Sequence, residues 1–231
     1  SGVSSPTAVA RPRRGAVRAG VLTFAMACTA AWCLSPRLPG GDEPHYLIIT
    51  QSLLLDGDLR IQNNHDRRDY ATYYPGSLAP DVIQRGRTGE VYSIHAPGTS
   101  VLVLPAFAMF GYRGAQAVII LLAAVTGALI WVAAWLASGD ERAAWFAWLC
   151  LAGSATFLIQ SVTIFPDGPG AAVVAVAVVL LLGLSRSGER IPRVALVGAS
   201  ALLAGLPWLH TRFSVLAAGF GLLVVWQLVS D

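Results

Sequence analysis

The sequence predicts an all-α, polytopic integral membrane protein with about six transmembrane helices and surface helices in the first outer loop. Three observations carry this. Of 231 residues, 55% are hydrophobic and only 13% are charged, against about 25% charged in a soluble domain. Mean hydropathy is +0.60. The apolar residues fall in blocks matched to a hydrocarbon core of about 30 Å, which takes roughly 17 to 25 helical residues to cross.

The elements follow in order. Residues 1–15 read as a basic tail, and residues 16–34 as the first transmembrane helix. Arg11, Arg13, Arg14 and Arg18 lie at its start, and basic residues flanking a first helix predict a cytoplasmic N-terminus in a multi-pass cell-membrane protein. Ala-Trp-Cys-Leu-Ser-Pro is a poor cleavage site, so the helix is read as retained. Residues 35–112 form an outer loop with two interfacial helices, 43–56 and 97–111. In the first, Tyr46, Ile49 and Leu53 make an apolar stripe beside Leu47 and Leu54, while Gln51, Ser52 and Asp56 face away. That pattern suits a helix lying on a membrane surface. Pro44 is tolerated in its first turn, and Gly57 closes it. The remainder to residue 94 reads as irregular loop.

The block VLVLPAFAMF at 101–110 is too short to span and is interrupted by Pro105. Residues 113–231 then supply five helices, from the blocks 114–137, 143–161, 168–185, 194–209 and 213–230. With 101–110 lying flat, the loop SRSGERIPR at 185–193, holding Arg186, Arg190 and Arg193, falls on the cytoplasmic side. Asp42, Glu43, His95, Asp167, His210 and Arg212 then share the outer side. Ionisable groups near membrane depth are costly and mark function.

Several classes are set aside. The pI is near 9.0, but the arginines are scattered between apolar blocks and form no basic face for nucleic acid. All 16 basic side chains are arginine, as a GC-rich bacterial genome would encode. Cys28, Cys33 and Cys150 have neither metal-site spacing nor a disulfide framework. No P-loop and no GxGxxG run points to a soluble nucleotide. Helix interiors hold only Gln116, Gln160 and Gln227 as larger polar groups, which disfavours ion-coupled transport.

The strongest local feature is GDEPHYL at 41–47. An adjacent acidic pair at a helix start can act as a general base with an assisting group; the competing role is helix capping by Asp42, with Glu43 favoured by the helix dipole. His95, in His-Ala-Pro-Gly, is either a loop residue or a ligand contact. Asp167, in IFPDGPG, occupies a tight turn where Asp is common. His210 and Arg212, in LPWLHTRF, suit an outward phosphate site, although an Arg there also snorkels to headgroups.

The order of GDEPHYL, HAPG before a short apolar helix, FPD between helices, and PWLHTR resembles the N-terminal half of the GT-C superfamily of membrane glycosyltransferases. The nearest pattern is that of the protein O-mannosyltransferase and aminoarabinose transferase group, over about residues 15–220. The resemblance implies transfer of a sugar from a polyprenyl-phosphate donor to an acceptor glycan, lipid or protein outside the membrane, with inversion, in the cell envelope. It implies Asp42, Glu43 and Asp167 as catalytic residues and His95, His210 and Arg212 as substrate-binding residues. A divalent metal is implied as cofactor, held by Asp42 and Asp167. His-Ala-Pro-Gly lacks the family's doubled proline. Family members are usually longer, which makes this chain an expected fragment, truncated at the C-terminus. The alternative is a non-catalytic polytopic membrane protein, a transporter or structural subunit.

Overall fold

The computed structural model describes residues 7–37, 39–187 and 193–230. Part of the predicted N-terminal tail, residues 1–6, and Arg190 of the predicted cytoplasmic loop lie outside the described residues. Helices dominate: α1 (Thr7–Leu34), α2 (Glu43–Leu55), α3 (Gln62–Arg67), a hairpin of β1 (Val82–Arg85) and β2 (Glu90–Ser93), then α4 (Gly98–Ser138), α5 (Glu141–Ala152), α6 (Ala155–Gln160), α7 (Asp167–Ser187), α8 (Arg193–Leu209) and α9 (Ser214–Ser230).

Among the described residues, three helices are long and apolar enough to cross a membrane: Arg13–Leu34, Gly98–Ser138 and Asp167–Ser185. This is fewer than the six expected. The block 143–161 is broken after Ala152, where Ser154 accepts the Phe157 N–H and caps a new helix, α6. α8 and α9 have 17 described residues each, at the lower limit of the roughly 17 to 25 that cross a hydrocarbon core. The outward faces of the helices are nonetheless apolar: Val17, Val21, Leu121, Phe146, Val194 and Trp226 are all exposed. Apolar exposure on this scale is the signature of a lipid-facing surface.

α1 packs on α4 through residues four apart. Gly15, Ala19, Thr23, Ala27 and Ala31 are all buried on one face, and small residues at that spacing let two helix backbones approach closely. A Cβ on Gly127 would lie 2.1 Å from Thr23 Oγ1, and one on Gly15 2.2 Å from the Trp131 ring. Thr23 Oγ1 also accepts the Trp148 Nε1–H at 3.0 Å, joining α5 to the same seam. α7 also packs on α4, and α8 and α9 pack on α7. The free thiols of Cys28, Cys33 and Cys150 are exposed.

α4 is two helices in sequence. Gly111 has φ 59° and ψ −146°, outside the helical region, and only glycine adopts such a conformation at low cost. The segments 98–110 and 112–138 therefore run in different directions.

The loop 35–97 departs from expectation twice. α2 does not expose a polar face: every residue from 43 to 52 is buried. Residues 57–94 fold over it and satisfy its polar side chains. Gln51 Nε2 donates to the Asp69 carbonyl at 2.9 Å, Tyr73 Oη donates to Gln51 Oε1 at 2.9 Å, and Ser52 Oγ donates to the carbonyls of Asp58 and Arg60. The covering segment is also not wholly irregular. β1 and β2 pair antiparallel, with Val82 opposite Ser93 and Arg85 opposite Glu90. Gly86 and Gly89, at φ 81° and 69°, make the turn, a role in which positive φ favours glycine.

Candidate functional site

The loops of this end of the molecule meet around α2. Asp42 occupies the N-cap position of α2, but its side chain makes no capping hydrogen bond, and the residue is exposed. The capping role therefore does not account for its carboxylate. Glu43 is different. It is fully buried, at 0% exposure, and both oxygens are taken: Oε1 accepts the Ile164 N–H at 2.8 Å and Oε2 accepts the Gly40 N–H at 2.9 Å. Burial pushes its carboxyl above the ordinary value, opposed by these two N–H groups. Glu43 thus clasps the segment entering α2 to the 161–166 loop that leads into Asp167.

Asp167 begins α7. Its Oδ1 pairs with the Arg212 guanidinium at 2.5 Å. Arg212 lies in a short 3₁₀ turn, Thr211–Phe213, capped by His210, whose Nδ1 accepts the Arg212 N–H at 3.2 Å. The guanidinium also lies over the Phe213 ring, 5.1 Å from its centroid. The pair is partly exposed, so it contributes at most about 1 kcal/mol to stability. Its consequence is orientation of Arg212.

Electrostatics tie these groups into one cluster. The Tyr46 hydroxyl is pushed up to about 12, by burial first and then by the charges of Asp42 and Asp167, with Arg212 opposing. The His95 imidazole is held below its ordinary value, chiefly by burial, and feels Asp42, His45, Asp81 and His210. All six residues expected from sequence are thus at this end of the fold. Asp42, Asp167, Arg212, His95 and His210 share one electrostatic environment, with Glu43 beneath as a brace.

Sequence reasoning missed His45, Tyr46 and Asp81 as members of this cluster. His45 and Tyr46 stand in GDEPHYL itself, one turn beyond Asp42, where the His45 and Tyr46 N–H groups both donate to the Asp42 carbonyl at 3.0 and 3.2 Å. Asp81 arrives by way of the hairpin. Among the described residues, the group of three side chains able to hold a metal ion is His45, Asp81 and His95; the expected pair, Asp42 and Asp167, is not part of it.

Gly98, which opens α4, sets the spacing between the His95 turn and the end of α8. A Cβ there would lie 2.4 Å from the Trp208 carbonyl oxygen and 2.8 Å from the Leu209 nitrogen. Backbone atoms cannot swing aside as a side chain can. Gly98→Ala is expected to destabilise the protein by about 1–3 kcal/mol, read as a lowered melting temperature in detergent. An unchanged melting temperature would show that the two loops are free to separate.

No protein-family model matches the chain, and no curated protein or solved structure matches it. The reading of the site rests on its own chemistry.

Proposed function

We propose that the chain acts as a membrane glycosyltransferase, transferring a sugar from a polyprenyl-phosphate donor to a hydroxyl of an acceptor on the outer face, with inversion at the anomeric carbon. One observation carries the reading. An apolar cleft of about 650 Å³ lies between α4, α7 and α8, and Gly98, Pro169 and Leu209 are among its lining residues. Those three residues are neighbours in sequence of His95, Asp167 and His210. The volume is in the usual range of about 300–1,000 Å³ for ligand pockets. A cleft lined by apolar residues whose lining runs in sequence into the turns that hold His95, Asp167 and His210 suits a lipid with a phosphate head.

In this mechanism the acceptor oxygen bonds to the anomeric carbon as the bond from that carbon to the phosphate oxygen breaks. Polyprenyl phosphate leaves with the electron pair, and Asp42 takes the acceptor proton. Arg212, already oriented by Asp167 and the His210 cap, faces the phosphate charge as it develops. The block 98–110, separated from the rest of α4 at Gly111, lies along the membrane, so that the cluster faces outward and the N-terminus is cytoplasmic.

Gly205 tests the cleft. It lines the apolar space, and a Cβ added there meets nothing within 4 Å. Gly205→Leu therefore extends a side chain into the cleft from a position where its Cβ meets no neighbour, and with better helix propensity. Use of a long-chain polyprenyl-phosphate sugar is expected to fall about tenfold or more, corresponding to at least ~1.4 kcal/mol of lost donor binding, while the melting temperature holds. Equal rates for wild type and variant, in membranes given a panel of such donors, would remove the cleft from the mechanism.

A further inference from the structure

The hairpin and α2 bring together three side chains, His45, Asp81 and His95, to which the bond-making and proton-transfer steps above give no role. β1 begins at Val82 and β2 ends at Ser93, and these two residues are paired. The pairing holds the residues just outside it close: the Ile94 N–H donates to the Asp81 carbonyl at 3.2 Å, and the His95 N–H donates to Ser93 Oγ at 3.2 Å. Asp81 and His95 are therefore clamped side by side. α2 presents His45 to the same point, its ring stacked on that of His95 with centroids 5.4 Å apart.

The distances are those of a gap, not of a hydrogen bond. His45 Nε2 is 3.5 Å and His95 Nε2 3.8 Å from the same oxygen, Asp81 Oδ2. Hydrogen bonds between such atoms run about 2.7–3.2 Å. The His95 side chain is 10% exposed, yet its Nε2 is buried without a hydrogen-bond partner, an arrangement that requires an explanation in a folded protein. One candidate ligand atom from each of the three residues lies within 4.8 Å of the others. Ligand atoms bound about 2.0–2.1 Å from a tetrahedral zinc ion stand about 3.3 Å apart. The spacing found is wider, 3.5 and 3.8 Å to the carboxylate oxygen and up to 4.8 Å within the group, so binding draws the three side chains inward. A proton shared with Asp81 satisfies one imidazole; a cation at the centre satisfies both and the carboxylate.

We propose that His45, Asp81 and His95 form a binding site for a divalent transition-metal cation of the zinc class. Two imidazole nitrogens and one carboxylate oxygen suit zinc and its neighbours, whereas magnesium and calcium take oxygen ligands. Three protein ligands leave a coordination position open for water or a substrate oxygen. The site borders a cleft of about 470 Å³ whose lining includes His95, Tyr92, Pro97 and Thr211, so that position is reachable from outside. The site stands on its own geometry and does not depend on the transferase reading.

Cobalt reports the site directly. Detergent-purified protein stripped with a chelator and titrated with Co²⁺ is expected to develop visible d–d absorption, saturating at one ion per chain and reversed by Zn²⁺. His45→Ala and His95→Ala are each expected to weaken binding at least tenfold. Absence of absorption in the wild type, or undiminished binding in a His45→Ala/His95→Ala double variant, would overturn the assignment. Should the variants fail to fold, X-ray absorption on the zinc-loaded wild type decides: two imidazole ligands support the site, and sulfur ligation or fewer than two imidazoles refutes it. A wild type that transfers sugar but binds no cobalt would sink the metal site alone, and one that binds cobalt but transfers no sugar would isolate the failure to the transferase reading.

Discussion

Asp42→Asn is expected to lower sugar transfer by about 10²–10⁴-fold while leaving the protein inserted, folded and equally stable. The factor is what a positioned general base contributes. The prediction is clean because of how Asp42 is held. It stands at the N-cap of α2, but its side chain accepts no hydrogen bond from the helix, and it is exposed. The exchange keeps the shape of the side chain and removes the charge, and asparagine is as good an N-cap residue as aspartate. Surface changes of this kind shift stability by less than about 0.5 kcal/mol. The charge of Asp42 also reaches Tyr46 and His95, so its removal is felt within the cluster without any rearrangement of the fold. The measurement is transfer from a polyprenyl-phosphate sugar by membranes holding equal amounts of each form, with melting temperature as control. Full activity in Asp42→Asn would remove it as the base.

Much of the helical framework was legible because it is local. Hydrophobic blocks and their punctuation locate α1, α2, α7, α8 and α9 to within a few residues, apart from the start of α1, which runs back to Thr7 through arginines that favour helix. The break after Ala152 was also written in the sequence, as Gly153-Ser154 between two apolar runs, a stop followed by a cap, but it is easily lost inside a block read only for hydropathy. What could not be read was cover. Gln51 and Ser52 look like a solvent face until residues 57–94 fold over them and supply their partners. The same distinction applies to the site. Asp42, Asp167 and Arg212 were visible as charges flanking apolar helices, whereas His45 and Asp81 matter only because a hairpin and a helix meet, and that is a tertiary event. Glu43 illustrates the converse: it was noticed for its charge, and its environment gives that charge a different use.

Glu43→Ala is expected to cost about 2–4 kcal/mol, because it leaves two backbone donors without their acceptor. Two backbone donors, the Ile164 and Gly40 N–H groups, point at its carboxylate at 2.8 and 2.9 Å. Alanine leaves both without an acceptor where the side chain was fully buried, and an orphaned buried donor costs about 1–3 kcal/mol by itself. Glu43→Gln separates bracing from chemistry. Glutamine keeps one oxygen to accept from one N–H but turns its NH₂ toward the other, so the loss should fall between wild type and alanine. Both variants release the 161–166 loop from the start of α2, and with it the alignment of Asp167 and Arg212 against Asp42. Transfer should therefore fall in step with melting temperature across wild type, glutamine and alanine. A glutamine variant that melts like wild type yet has lost transfer would show that the buried carboxylate takes part in the chemistry itself, and that the brace is the lesser of its two roles.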